Sequence, residues 1–241
     1  MKVIAVIPAR LESTRLPRKM LRQIAGKNLL ERVYEGVRSS PLLHEVIVAT
    51  DSEEIMQLCR QHGWNARMTL ATQRSGTERV REISDSVEAD IYLNVQGDEP
   101  LTRAEHIAAL IDLMKDPQVQ VGTLKTPASA EDINNPNAVK VVTDSAGRAL
   151  YFSRATIPFD RDGSRPCYFK HLGFYAYRKA ALDRFCALPE SSLEISERLE
   201  QLRFLENGIS IQVSETPYDT VGVDTEEDLR RVETIFRQRQ Q

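Results

Sequence analysis

Five apolar residues, Val3-Ile4-Ala5-Val6-Ile7, run straight into Pro8-Ala9-Arg10-Leu11-Glu12-Ser13-Thr14-Arg15-Leu16-Pro17-Arg18-Lys19. The run is short, rich in β-branched residues and stops at a proline, which predicts a buried strand. In an open α/β sheet, ligands bind in the crevice beyond the carboxyl ends of the strands. The loop that follows the strand therefore delivers Arg10, Arg15 and Lys19 to a ligand position. Arg presents a planar fork that matches two phosphate oxygens, and Lys presents a compact point charge. Ser13 and Thr14 add hydroxyl donors, while Pro8 and Pro17 fix φ and restrict the loop. The set suits a polyphosphate, although solvated loop charges would have the same composition. The loop is neither G-x-x-x-x-G-K-[ST] nor G-x-G-x-x-G, so it is not a Walker loop or a dinucleotide fingerprint.

The rest of the chain alternates. Helical spacing of apolar residues covers 28–40, 51–62, 76–87 and 105–114, with Asp51 or Ser52 as the cap of the second. Short apolar strands are expected at 45–49 and 90–95. This rhythm predicts a mostly parallel sheet covered by helices on both faces. The second half changes character. Strands are expected at 139–142, 149–152 and 169–177, with a polar loop at 159–167. A helix stripe follows at 193–205, then a strand at 209–213 and a C-terminal helix at 226–237. The expectation is a single domain. Its core is formed by about residues 1–130 and 205–241, and a smaller β-rich insertion spans about 131–204.

The balance of 32 Lys and Arg against 35 Asp and Glu, net −3, gives no basic field for nucleic acid. The three cysteines, Cys59, Cys167 and Cys186, are too few and scattered for a disulfide framework or a zinc set. They read as reduced thiols of a cytoplasmic protein, and no apolar stretch approaches the ~20 residues of a membrane span.

Two further apolar stretches end in carboxylates. Tyr92-Leu93-Asn94-Val95-Gln96-Gly97-Asp98-Glu99-Pro100 turns at Gly97 and presents Asp98 and Glu99. Val221-Gly222-Val223-Asp224-Thr225 presents Asp224 just before a helix. Hard carboxylate oxygens suit Mg²⁺, and Asp224 is equally suited to capping the helix. Ser75-Gly76-Thr77-Glu78-Arg79 opens a helix whose N-terminal N–H groups favour an anion. Thr50-Asp51 ends another strand on the same crevice.

The phrase P-A-R-x-x-S-T-R-L-P-x-K after an N-terminal strand resembles the nucleotide loop of the sugar-activating cytidylyltransferases, above all the 3-deoxy-manno-octulosonate (Kdo) cytidylyltransferase family. V-Q-G-D-E-P, G-V-D-T, S-G-T-E-R, A-L-Y-F-S-R-A-T-I-P, H-L-G-x-Y and L-E-Q-L-R resemble further segments of that family, in the same order. The loop departs twice: Arg18 stands where the family has Gly, and Met20 where it has Pro. The resemblance implies a Rossmann-like three-layer sheet of nucleotidyltransferase type with an inserted subdomain. It also implies transfer of CMP from CTP to the anomeric hydroxyl of Kdo, feeding lipopolysaccharide synthesis. Pro8, Ala9, Arg10, Ser13, Arg15, Lys19, Ser75, Gly76 and Arg79 would hold the nucleotide, and Asp98 and Asp224 would hold Mg²⁺. Gln96, Arg154, His171, Tyr175, Glu200 and Gln201 would hold the acidic sugar, with Arg154 on its carboxylate. Arg10, Lys19, Asp98 and Asp224 would carry catalysis. A relative acting on 8-amino-Kdo would share these segments. A different nucleotidyltransferase would share only the first loop, a glycosyltransferase would show Asp-x-Asp, and a nucleotide-sensing module would lose the acidic pair. Apolar residues of the insertion strands suggest a homodimer.

Overall fold

All seven residues of the first strand, β1 (Val3–Ala9), are buried. Each Val or Ile removed from water there contributes about 1.5–3 kcal/mol. In this computed structural model residues 1–13, 15–164 and 166–239 are described, and Thr14, one of the two loop hydroxyls, lies outside them. The chain divides into two compact units, Met1–Ala108 with Thr220–Gln241, and Ala109–Asp219.

In the first unit β1 is followed by a hairpin of β2 (Gln23–Ile24) and β3 (Lys27–Asn28) and by α1 (Leu29–Arg38). Then come β4 (Glu45–Thr50), α2 (Glu53–His62), β5 (Ala66–Met68), α3 (Gly76–Ser86) and β6 (Ile91–Val95). Strand β1 pairs in parallel with β4 on one side and β6 on the other, and β4 pairs in parallel with β5. Parallel pairing puts the carboxyl ends of β1, β4 and β6 on one edge, so their loops gather there. The helices start on side-chain caps: Asn28 accepts from Glu31 N, Ser52 from Ile55 N and Ser75 from Glu78 N. Each cap is worth about 1 kcal/mol. Of the two cap candidates for α2, the structure selects Ser52, and Asp51 is used elsewhere.

Helix α4 (Ala104–Leu113) leads into the second unit. That unit holds β7 (Val121–Pro127), α5 (Ala130–Asn134), β8 (Lys140–Thr143), β9 (Ala149–Ser153) and β10 (Phe169–Tyr177). Helices α6 (Lys179–Ala187), α7 (Ser192–Glu197) and α8 (Leu202–Glu206) and strand β11 (Gln212–Glu215) complete it. Strand β7 pairs antiparallel with β10 and parallel with β11, while β8 pairs antiparallel with β9 and β10. The sheet strands are thus mixed in direction and flanked by helices, an α/β fold.

Three local expectations are corrected. Strand β7 was not anticipated. Its Val121-Gly122-Thr123-Leu124-Lys125-Thr126-Pro127 is buried at five positions on both faces, without clean alternation. The stripe at 193–205 is two short helices, since Arg198 adopts φ 55 and breaks the ladder. The last strand is Gln212–Glu215 rather than 209–213, although Ile209 and Ile211 are still buried.

The chain returns to the first unit as α9 (Glu226–Arg239). Val223, Leu229 and Val232 pack with Leu16, Ile24, Leu29 and Leu101 in one apolar cluster. The buried Arg32 guanidinium donates to the carbonyls of Ile24 and Ala25, and its Cζ lies 4.4 Å from the Phe236 ring centre. The C-terminal helix and the first loop, through Leu16, therefore share one anchor.

Candidate active site

The loops after β1 and β6, the start of α3 and the segment before α9 enclose a cavity of about 320 Å³. Pro8, Arg10, Ser13, Arg15, Lys19, Gly76, Arg79, Gln96, Asp98 and Asp224 line it, with Glu12, Met20 and Gly97. Two residues expected here do not line it: Ala9 is fully buried at the end of β1, and Ser75 caps α3. Glu12 and Met20 were not singled out as lining residues. Glu12 has an ordinary loop composition around it, and only the departure from Pro drew notice to Met20.

Local backbone geometry explains the placement. Arg18 sits at φ 54 and ψ 36, the left-handed region that favours glycine, and its side chain ion-pairs with Glu54 of α2. The turn there directs Lys19 inward, where it is 7% exposed. Gly97 is required by close approach: a Cβ there would lie 2.7 Å from the Pro8 carbonyl oxygen and 2.9 Å from Met20 Sδ. A backbone bond from Val223 N to the Asp98 carbonyl, 2.9 Å, ties the second acidic segment to the first.

Charge is concentrated at Lys19. Its Nζ lies 2.6 Å from Asp98 Oδ2 and 2.9 Å from Asp224 Oδ1. Burial opposes its charge, but Asp98 and then Asp224 outweigh burial and raise its pKa. Arg15 Nη2 lies 2.9 Å from the other oxygen of Asp224. Arg10 ion-pairs with none of the described residues. Asp224 does not cap α9. Thr225 does, accepting from Asp228 N at 3.2 Å while Asp228 Oδ2 accepts from Thr225 N. The Asp224 carboxylate is thereby left to the cavity.

On the opposite wall the Arg79 guanidinium, 1% exposed, donates to Thr69 Oγ1 and, at 2.5 Å, to Asp51 Oδ2. Asp51 thus acts behind the wall, holding an arginine that lines it. The Gln96 amide donates to Asn94 Oδ1 at 3.3 Å and lies against Gly76.

The remaining candidates belong to the second unit. His171 and Tyr175 of β10 stand with ring centres 5.4 Å apart, and Phe152 meets His171 edge-on at 4.9 Å. Thr123 Oγ1 donates to the Phe174 carbonyl at 2.7 Å and lies 3.0 Å from His171 Nε2. A hydroxyl has one hydrogen, so Nε2 donates and Nδ1 keeps a lone pair. Burial pushes the imidazole down to about 3, so it is neutral at pH 7. Burial, then Tyr177 and Glu200, push the Tyr175 hydroxyl well above its ordinary value. Tyr175 Oη and Gln201 Nε2 are buried and have no hydrogen-bond partner among the described residues. Buried polar atoms of this kind are uncommon unless a ligand or water satisfies them. Glu200 is half-buried beside Gln201. Arg154 is held by backbone carbonyls, considered below.

An α/β sheet with a cationic loop after β1, Asp98 after β6 and Asp224 just ahead of α9 defines a nucleotide-handling protein of nucleotidyltransferase type. The family described as cytidylyltransferase matches residues 4–211. A 3-deoxy-manno-octulosonate cytidylyltransferase of Koribacter versatilis (strain Ellin345) is 67% identical over 99% of this chain and 91% of its own length. One of Acidobacterium capsulatum is 57% identical over 99% and 98%. The structure of a CMP:2-keto-3-deoxy-manno-octonic acid synthetase complexed with CTP superposes with a TM-score of 0.95 at 42% identity, covering 99% of this chain and all of that one. A 4-diphosphocytidyl-2C-methyl-D-erythritol synthase from Anaerococcus prevotii shares only the fold, with a TM-score of 0.64 at 16% identity over 98% of both chains. The chain belongs to the cytidylyltransferase family, among the 3-deoxy-manno-octulosonate cytidylyltransferases.

Proposed function

We propose that this chain transfers the cytidylyl group of CTP to the anomeric hydroxyl of Kdo. The hydroxyl oxygen forms a bond to the α-phosphorus, and the bond from that phosphorus to the bridging oxygen breaks. Pyrophosphate leaves with the electron pair, and the hydroxyl proton passes to solvent. The observation that carries this reading is Lys19, an ammonium held between two aspartates in a cavity that Arg10 and Arg15 also line.

The chain's groups position reactants and offset charge. Arg10, Arg15 and Lys19 bind the triphosphate and the departing pyrophosphate, with Ser13 adding a hydroxyl. Arg15 and Lys19 exchange their aspartate partners for phosphate oxygens as the nucleotide arrives. Pro8, Gly76 and Arg79 line the remaining wall, where the nucleoside binds, and Gln96, close to Asp98, addresses the acceptor. In the second unit Arg154 meets the acceptor's carboxylate. His171 Nδ1, Tyr175 Oη and the Glu200-Gln201 pair bind sugar hydroxyls.

Asp98 and Asp224 fit a divalent cation. Both carboxylates reach one ammonium within 3 Å, their donors are hard oxygens, and Mg²⁺ needs only one or two carboxylates besides substrate phosphates. Among the described residues no group of three or more His, Cys, Asp or Glu could hold a metal alone. We assign Mg²⁺ to this pair; when bound it offsets phosphate charge and makes the attacking hydroxyl more acidic.

We also place the protein in the cytoplasm as a homodimer. No helix among the described residues is long and apolar enough to cross a membrane. The second unit exposes Leu150, Phe159 and Ile195, apolar surface that a second copy would cover. The product test is ³¹P NMR of a mixture of CTP, Kdo and Mg²⁺. A new phosphodiester signal rising with pyrophosphate supports transfer, and a CMP signal without the diester overturns it.

A further inference from the structure

The second unit holds Arg154 in an unusual way. Its Nε donates to the Glu197 carbonyl at 2.8 Å, Nη1 to the Pro136 carbonyl at 3.0 Å and Nη2 to the Arg198 carbonyl at 3.4 Å. Among the described residues the guanidinium has no carboxylate partner. Neutral carbonyls fix its plane and leave its charge uncompensated, which a carboxylate partner would not do.

One residue organises this arrangement. Glu197 gives its main-chain oxygen to Arg154 Nε and its carboxylate to the Arg154 main chain, with Oε2 accepting from Arg154 N at 2.9 Å. The other oxygen, Oε1, accepts from Ser153 Oγ at 2.6 Å. The carboxylate is thus spent on the end of β9, not on the guanidinium. The break between α7 and α8 belongs to the same device. With Arg198 at φ 55 the helix ends, and the carbonyls of Glu197 and Arg198 turn out to receive the guanidinium. The segment after α5 supplies the third carbonyl and is itself pinned. Lys140 Nζ donates to the carbonyls of Asn135 and Ala138 at 2.7 and 2.5 Å, and Thr156 Oγ1 to that of Ile133 at 2.7 Å.

We propose that Glu197 is a positioning residue for acceptor recognition, gripping Arg154 by backbone and side chain so that its uncompensated charge meets the acceptor's carboxylate. This rests on the reading that Arg154 binds that carboxylate. The role separates Glu197 from Glu200 and Gln201 three and four residues on, which address hydroxyls.

The test compares kcat/KM for Kdo and for its carboxamide as alternative acceptors in the pyrophosphate-release assay. Their ratio reads how far the acceptor's negative charge is used, and a general folding defect moves both constants together. Glu197→Ala should raise the acceptor KM about tenfold, leave the CTP KM unchanged and collapse the ratio towards that of Arg154→Gln. Glu197→Gln keeps the shape but only one of the two acceptor oxygens and should fall between, which covers the case in which the alanine variant does not fold. If Arg154→Gln collapses the ratio but both Glu197 variants keep it, the positioning role is overturned. If Arg154→Gln itself leaves the ratio intact, the assignment of Arg154 is wrong and the proposal falls with it.

Discussion

The ammonium of Lys19 lies 2.9 Å from Oδ1 of Asp224, 205 residues further along the chain. Two features make the meeting possible. Leu16 and Val223 share an apolar cluster, and Val223 N donates to the Asp98 carbonyl. The segment that leads into α9 thereby supplies one carboxylate to a cavity otherwise lined by residues 8–98.

Asp98→Asn and Asp224→Asn should each lower kcat at least about 10²-fold, the usual scale for losing one electrostatic contact to a developing charge. Initial rates at saturating CTP and Kdo measure this. Retention of more than half the rate in either variant contradicts the assignment of that residue.

Asp51→Asn should destabilise the first unit by about 2–3 kcal/mol and raise the KM for CTP. It leaves a guanidinium that is 1% exposed with a weaker partner, and breaking a buried pair is costly. The figure is set below the about 3–5 kcal/mol of a fully buried pair because the Asp51 side chain is itself 20% exposed. Urea denaturation and CTP-dependent rates give the two quantities.

His171 should make stability fall in acid. The unfolded imidazole gains a proton near 6.5 and the folded one only near 3, so between these values the unfolded chain binds the extra proton. Stability is full above about pH 6.5 and declines as pH drops towards 3. At pH 5 the loss from this one group is about 1–2 kcal/mol. His171→Gln should flatten the decline in urea midpoint between pH 7.5 and 5. An unchanged slope contradicts the neutral, shielded imidazole.

Arg18→Gly should be close to neutral. A side chain in the left-handed region costs about 1–2 kcal/mol. Glycine removes that cost but gives back about 0.4–1 kcal/mol in unfolded-chain entropy. The exposed Arg18–Glu54 pair adds little. A shift in stability beyond about 1.5 kcal/mol, or a large loss of activity, would show that Arg18 has a further role.

The cationic and acidic lining of the cavity was legible because its groups lie in short phrases beside strand ends and a helix start. Arg10, Ser13, Arg15, Lys19, Asp98 and Asp224 all reach one cavity. What the residues alone left open was where each side chain spends its bonds. By its residues alone Asp224 read first as a helix cap, a role that Thr225 and Asp228 take. Glu197 drew no notice, because its partners on β9 lie more than forty residues away and no local pattern reports them. Strand β7 was missed because residues on both of its faces are buried, which removes the period-2 signal. The 193–205 stripe kept its helical period through Arg198, so its apolar spacing does not report the φ of 55 that ends the helix.

The most direct measurement is pyrophosphate release from CTP and Mg²⁺ with Kdo, 8-amino-Kdo, sialic acid or no acceptor. Release that depends on Kdo is the predicted result. Release without an acceptor, or only with one of the other two, would contradict the assignment of this chain to Kdo activation.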